Sequence, residues 1–113
     1  MLGLKKQKAD RSGGVFSFRV SDVVDVPLRG VLLRLRVVDG SPSMGDLAPG
    51  SRLMVRSPAG TERELVIKAH SVTGGRATQE RLDRTRELDV IIDRETSAGE
   101  PMEIGWMAYG PAT

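Results

Sequence analysis

The sequence contains no cysteine, a single histidine and few aromatic residues, which make up 4% of its 113 positions. Without cysteine, the chain has no disulfide, no thiolate zinc site and no thiol nucleophile. The lone histidine, His70, cannot build a metal site without partners, and no cluster of His, Asp or Glu flanks it. The scarcity of aromatic rings argues against platforms for stacking nucleic-acid bases, and leaves only Trp106 and Tyr109 as candidates for exposed stacking.

Long apolar runs are also missing, because no run approaches the roughly 20 residues that a membrane helix requires. The first residues are charged and have no apolar stretch behind them, so they do not resemble a signal peptide. The lack of cysteine fits a reducing compartment. We therefore expect a cytoplasmic protein without a membrane partner.

Turn-forming residues and basic residues are plentiful by comparison, with 13 glycines, 6 prolines and a net charge of +2. Much of the positive charge lies in residues 1–14, which carry Lys5, Lys6, Lys8 and Arg11 against Asp10. This segment is polar and ends in a Ser-Gly-Gly run, so we predict a flexible basic tail over residues 1–14. The length of the remainder predicts one domain over residues 15–113.

Short segments with alternating apolar and polar residues, each bounded by Gly, Pro, Asp or Ser, follow the tail. Six of them have strand character: 16–21, 31–38, 52–56, 62–68, 87–93 and 102–109. The polar stretch from 73 to 86 is open to two interpretations, a long loop or one to two helical turns. Because so many short strands must protect their edges, the pattern predicts an all-β fold, a small closed antiparallel β-barrel of six to seven strands.

Residues 19–40 read RVSDVVDVPLRGVLLRLRVVDG. This segment resembles the second, β-barrel domain of translational GTPases such as elongation factor Tu and initiation factor 2, whose opening strands follow the pattern V-x-D-V-F-x-I-P-G-R-G-x-V-x-x-G-R-V-x-x-G. Ten positions match it without a gap: Val20, Asp22, Val23, Val26, Pro27, Arg29, Gly30, Arg36, Val37 and Gly40. Weaker similarity at 44–55 and 103–108 extends the resemblance over nearly the whole folded part.

The resemblance implies an elongation factor Tu domain 2-like fold that stands alone. The chain has no G-x-x-x-x-G-K-[ST] loop, so GTP binding is not expected. What the resemblance leaves is a non-catalytic binding or adaptor module that docks on ribosomal RNA, a ribonucleoprotein or a translation-related protein, with no cofactor. The motif residues Asp22, Pro27, Gly30 and Gly40 have structural roles in this view. Pro27 lies where a strand has ended, and the two glycines are free to adopt positive φ at corners.

Five arginines are the candidate binding residues: Arg29, Arg34, Arg36, Arg52 and Arg56. Alternation places Arg34 and Arg36 on the outward face of the second strand, and Arg52 and Arg56 on that of the third. If those strands pair, the four guanidiniums share one basic surface that suits RNA phosphates or an acidic protein. The alternative is a solvated face partly paired with Glu62 and Glu64 of the next strand.

A second functional hypothesis comes from Asp39-Gly40-Ser41 with upstream arginines, which resembles the motif of the PilZ domain, a small barrel that binds cyclic dinucleotides. The motif needs R-x-x-x-R and D/N-x-S-x-x-G, and Arg29 and Arg34 are one residue too far apart for it. A small-ligand sensor built on Arg29, Arg34 and Asp39 is the alternative function. No serine has a base nearby in sequence, so we predict no catalytic residue and no enzyme.

Overall fold

The computed structural model describes residues 15–71, 77–93 and 102–110. The longest feature is an antiparallel hairpin of β1 (Phe16–Val26) and β2 (Gly30–Asp39). Apolar side chains alternate along both strands and enter the core, as in Phe18 against Val37. Register shifts at residues 17/18 and 20/22 mark bulges in the hairpin.

The connection between β1 and β2 is a tight turn in which the amide of Arg29 donates to the carbonyl of Val26 at 3.0 Å. Pro27 follows the last residue of β1, so its missing amide proton costs no ladder bond, as predicted. Leu28 has a φ of 67°, a left-handed conformation that usually belongs to glycine in such a turn.

Both motif glycines adopt positive φ, which confirms the prediction, at 131° for Gly30 and 82° for Gly40. Backbone atoms also lie close to both glycines: those of Ile92 in β6 to Gly30, and those of Val15 and Phe16 to Gly40. A Cβ on Gly30 would overlap the carbonyl oxygen of Ile92, and one on Gly40 would lie 2.6 Å from the carbonyl oxygen of Val15. Only glycine fits either corner without displacing backbone.

Five further strands complete one antiparallel sheet: β3 (Arg52–Arg56), β4 (Glu62–Val66), β5 (Ala69–His70), β6 (Glu87–Ile92) and β7 (Met107–Gly110). The strand order is β4-β3-β7-β1-β2-β6-β5. The last strand in sequence therefore lies between β3 and β1. This confirms the predicted all-β antiparallel class within the described residues, with seven strands.

The sheet is not closed into a barrel, which corrects that part of the prediction. The physical reason is that β4 and β5 are successive pieces of one chain segment, separated by Ile67 and Lys68, so they lie end to end and cannot pair with each other. The two edge strands of the sheet, β4 and β5, are still joined to neighbouring backbone where the segment breaks at Ile67 and Lys68. Gly50 donates its amide proton to the Ile67 carbonyl at 2.7 Å, and Lys68 donates its own to the Ile91 carbonyl at 2.8 Å.

The polar stretch before β6 contains a helix, α1 (Gln79–Thr85). Thr78 caps its start by accepting a hydrogen bond from the Arg81 amide at 3.1 Å. Its end is set by Arg86, whose left-handed backbone donates to the Leu82 carbonyl at 2.8 Å. Leu82 enters the core, so the second of the two interpretations left open by the sequence is confirmed.

One hydrophobic core joins the inward side chains of the sheet to those of α1 and the loops. Trp106 belongs to this core at 1% exposure, and the guanidinium of Arg63 lies 5.0 Å from its ring centre. The expectation that Trp106 is exposed for stacking is therefore wrong, because its amphipathic ring is covered by Arg63. Of the residues that the structure describes, none belongs to a helix long and apolar enough to cross a membrane. The predicted tail, residues 1–14, lies outside the described residues.

Candidate functional site

Arg34 and Arg36 point outward from β2, while Leu33 and Leu35, which alternate with them, are fully buried. Each arginine meets a carboxylate across the β2–β6 ladder. Arg34 forms a fork with Asp89, with Nε to Oδ1 at 2.9 Å and Nη2 to Oδ2 at 3.2 Å. This is the bidentate geometry that guanidinium and carboxylate favour.

The second ion pair of β2 links Arg36 Nη2 to Glu87 Oε2 at 2.7 Å. Hydrogen bonding to Asp89, supported by its charge, raises the pKa of Arg34 above its ordinary value. Both outward arginines of β2 are thus already engaged by acidic neighbours.

Arg52 and Arg56 point outward from β3 and are paired with the next strand in the same way. Arg52 lies 3.7 Å from Glu64, and Arg56 binds Glu62 with Nε to Oε2 at 2.9 Å. The hydrogen bond to Glu62 raises the pKa of Arg56. These are the two pairs named in the alternative interpretation of a solvated face, and both form.

The four arginines do not share one patch, because β2 and β3 do not pair. β1 and β7 lie between them in the sheet. The condition for a single basic surface is therefore not met. Sequential strands often neighbour each other, but the connection from β2 to β3 crosses to the far side of β1, where β7 later inserts.

A different set of outward side chains meets around β7. Met107 lies opposite Arg19 of β1 on one side and Arg56 of β3 on the other. Two residues further along β7, Tyr109 lies opposite Ser17 of β1 on one side and Met54 of β3 on the other. We call this surface the β7 face and define it by five residues: Arg19, Met54, Arg56, Met107 and Tyr109.

Arg19 differs from the other arginines of this face and of β2. Within the described part of the chain, no ion pair or side-chain hydrogen bond involves it, and it is exposed. Its partner on the β2 side is Arg36, so two positive residues lie directly opposite each other. Like charges in this arrangement destabilise a sheet slightly unless an anion joins them.

Sequence reasoning missed the β7 face. The alternation of β1 placed Arg19 outward, but nothing in the local pattern indicated that the last strand lies between β1 and β3. Tyr109, 37% exposed, was recognised as a stacking candidate, whereas Met54 and Met107 were not considered.

Arg29, the fifth candidate, lies in the turn before β2 and is exposed. Asp39 ends β2, so Arg29 and Asp39 are at opposite ends of that strand, roughly 30 Å apart at about 3.3 Å per residue. Arg34 is held by Asp89 midway. The residues of the cyclic-dinucleotide hypothesis are therefore not brought together, and that function remains a prediction from sequence.

A groove with a volume of about 110 Å³ lies between α1 and the outer face of β2 and β6. Its walls include the Arg34–Asp89 pair, Arg81 and the hydroxyl groups of Thr78 and Thr85. Pockets that enclose organic ligands usually reach roughly 300 Å³ or more. The groove therefore suits a few water molecules rather than a nucleotide.

Other titratable groups have local structural roles. His70 Nε2 lies 2.7 Å from the Leu47 carbonyl, which fixes the proton on that nitrogen. Asp22 accepts a hydrogen bond from the Val23 amide at 3.0 Å, next to the bulge. Among the described residues, no group of three or more His, Cys, Asp or Glu is arranged to hold a metal ion. Comparison of the chain with protein families, with curated proteins and with solved structures found no match.

Proposed function

We propose that this chain is a non-catalytic binding module that docks on a translation-related protein surface, in the manner of the second domain of translational GTPases. The sequence motif over residues 19–40 motivates the choice of partner. Its supporting geometry is the β1–β2 hairpin, in which Pro27, Gly30 and Gly40 occupy the corners that the motif requires. The kinship of this open sheet to the second domain of elongation factor Tu is part of the same proposal.

The observation that carries the docking role is the pairing of the outward arginines. Four cross-strand carboxylates already neutralise Arg34, Arg36, Arg52 and Arg56. RNA phosphates would have to displace these carboxylates and would be repelled by them. Phosphate binding through this sheet is therefore disfavoured, and a protein surface is the preferred partner.

The composition of the β7 face also fits a protein partner. Tyr, Met and Arg are enriched in the centres of protein interfaces, whereas lysine and acidic residues are depleted there. The β7 face has this composition, with Met54, Met107 and Tyr109 between Arg19 and Arg56.

Co-sedimentation with purified ribosomes, compared with ribosomal RNA stripped of protein, tests the proposal. We expect the chain to sediment with ribosomes at moderate salt and to remain in the supernatant with naked RNA. Equal sedimentation with both would assign the binding to RNA. Sedimentation with neither would overturn the proposed function.

A further inference from the structure

The β7 face has a defined centre and a defined chemistry. Met107 is the first residue of β7, and the Arg19 and Arg56 positions flank it in register on the two neighbouring strands. Residues paired across antiparallel strands have their side chains on the same side, about 4.5–5.5 Å apart. Met107 therefore lies between two guanidinium-bearing side chains, with Met54 and Tyr109 forming the next row.

Charge is uneven along the row of outward residues that runs across β3, β7, β1 and β2, namely Arg56, Met107, Arg19 and Arg36. Arg56 is neutralised by Glu62 at one end, and Arg36 by Glu87 at the other. Arg19, between Met107 and Arg36, has no carboxylate within the described part of the chain. The positive potential of the row is thus concentrated at Arg19, next to apolar surface.

We propose that the β7 face binds an acidic protein segment in which a carboxylate lies beside an apolar side chain. Arg19 receives the carboxylate, and Met54, Met107 and Tyr109 receive the apolar group. This inference rests on the proposed docking function and names the chemistry of its partner. Methionine side chains suit the role because they are flexible and adapt to different apolar shapes.

The arrangement favours such a segment over a nucleic acid for two reasons. A polyanion would place several phosphates on a row that offers one unpaired guanidinium and is bordered by Glu62 and Glu87. A single carboxylate needs only Arg19, because Arg36 beside it is already neutralised by Glu87. The rest of the affinity then comes from apolar contact, which phosphate groups cannot supply.

Methyl-¹³C methionine spectra of the full chain provide the test. The probe is a short synthetic peptide that carries one glutamate beside leucine residues and no other charged side chain. We expect the methyl signals of Met54 and Met107 to shift on titration. The buried Met102 and the partly buried Met44 serve as internal controls and should not move. The same peptide with serine in place of each leucine tests the apolar contribution and should bind about tenfold more weakly, the effect of roughly 1.4 kcal/mol.

Two charge reversals separate a local effect from a general one. Arg19→Glu should weaken the glutamate–leucine peptide by about tenfold or more. Arg84→Glu makes the same charge change on α1, which lies beside β2 and β6, and should leave the affinity within about twofold. Both positions are exposed, and an unchanged Met102 signal confirms that each variant is folded.

Three results would overturn the inference. They are equal binding of the serine peptide, equal loss in both variants, and tighter binding of a single-stranded oligouridylate than of the peptide. If ribosomes still bind the wild-type chain while the peptide does not, the docking function stands and its assigned chemistry fails. Loss of both would remove the docking function itself.

Discussion

Gly30→Ala is the substitution for which the structure predicts the largest effect on stability. The backbone at Gly30 has a φ of 131°, where a residue with a side chain costs about 1–3 kcal/mol. The new methyl group would also overlap the carbonyl oxygen of Ile92, which belongs to the backbone and cannot rotate away. Relief requires β2 and β6 to separate near the Val31–Ile92 pair, at a cost of about 0.5–1.5 kcal/mol for each ladder bond lost.

With two ladder bonds lost, these costs add up to about 2–6 kcal/mol, a large part of the roughly 5–15 kcal/mol that stabilises a domain. Urea unfolding measures it, as a lower transition midpoint at an unchanged slope. Gly60→Ala is the matched control, because Gly60 also has positive φ, at 95°, but no atom lies within 4 Å of its added Cβ. If the two variants lose stability within about 1 kcal/mol of each other, the close approach of β6 to Gly30 is refuted.

Three smaller effects follow from local geometry. Leu28→Asn should raise the free energy of unfolding by up to about 1 kcal/mol, because asparagine tolerates the left-handed backbone and the leucine is fully exposed. A lower free energy of unfolding in urea would show that the Leu28 side chain makes stabilising contacts. Thr78→Ala should cost about 1 kcal/mol through loss of the helix cap, measured by thermal unfolding, while Thr78→Ser should preserve it. A double-mutant cycle on Arg34→Ala and Asp89→Ala should give a coupling of about 1 kcal/mol, and strict additivity would contradict the fork.

The strands could be predicted wherever apolar residues alternate strictly. The bounds of β3 were predicted in full, and the first and last residues of β6 to within one position, since Leu53, Val55, Leu88 and Val90 mark their inward faces. β1 was predicted too short, because the bulge at Ser21 changes which residues face inward and the alternation appears to end there. The strand predicted at 62–68 ends two residues earlier, at Val66 of β4, and the two-residue β5 lies outside all six predicted strands.

The candidate site was less accessible from the sequence, because it depends on which strands become neighbours. Outward orientation of Arg34, Arg36, Arg52 and Arg56 followed correctly from local alternation. The ion pairs of Arg34 and Arg36 with β6, and the insertion of β7 between β1 and β3, are long-range pairings. Such pairings are decided by the packing of the whole core and not by the residues of any one strand.

Docking on a protein surface and docking on RNA phosphates predict different salt dependences. The salt dependence of ribosome binding distinguishes them directly. If Arg34, Arg36, Arg52 and Arg56 bound four phosphates of single-stranded RNA, the slope of log affinity against log salt would be roughly −3. Because these arginines are held by carboxylates and Arg19 alone is unpaired among the described arginines of the β7 face and β2, we predict a slope shallower than about −1. A slope near −3 that is roughly halved in the Arg34→Ala, Arg36→Ala double variant would contradict docking on a protein surface.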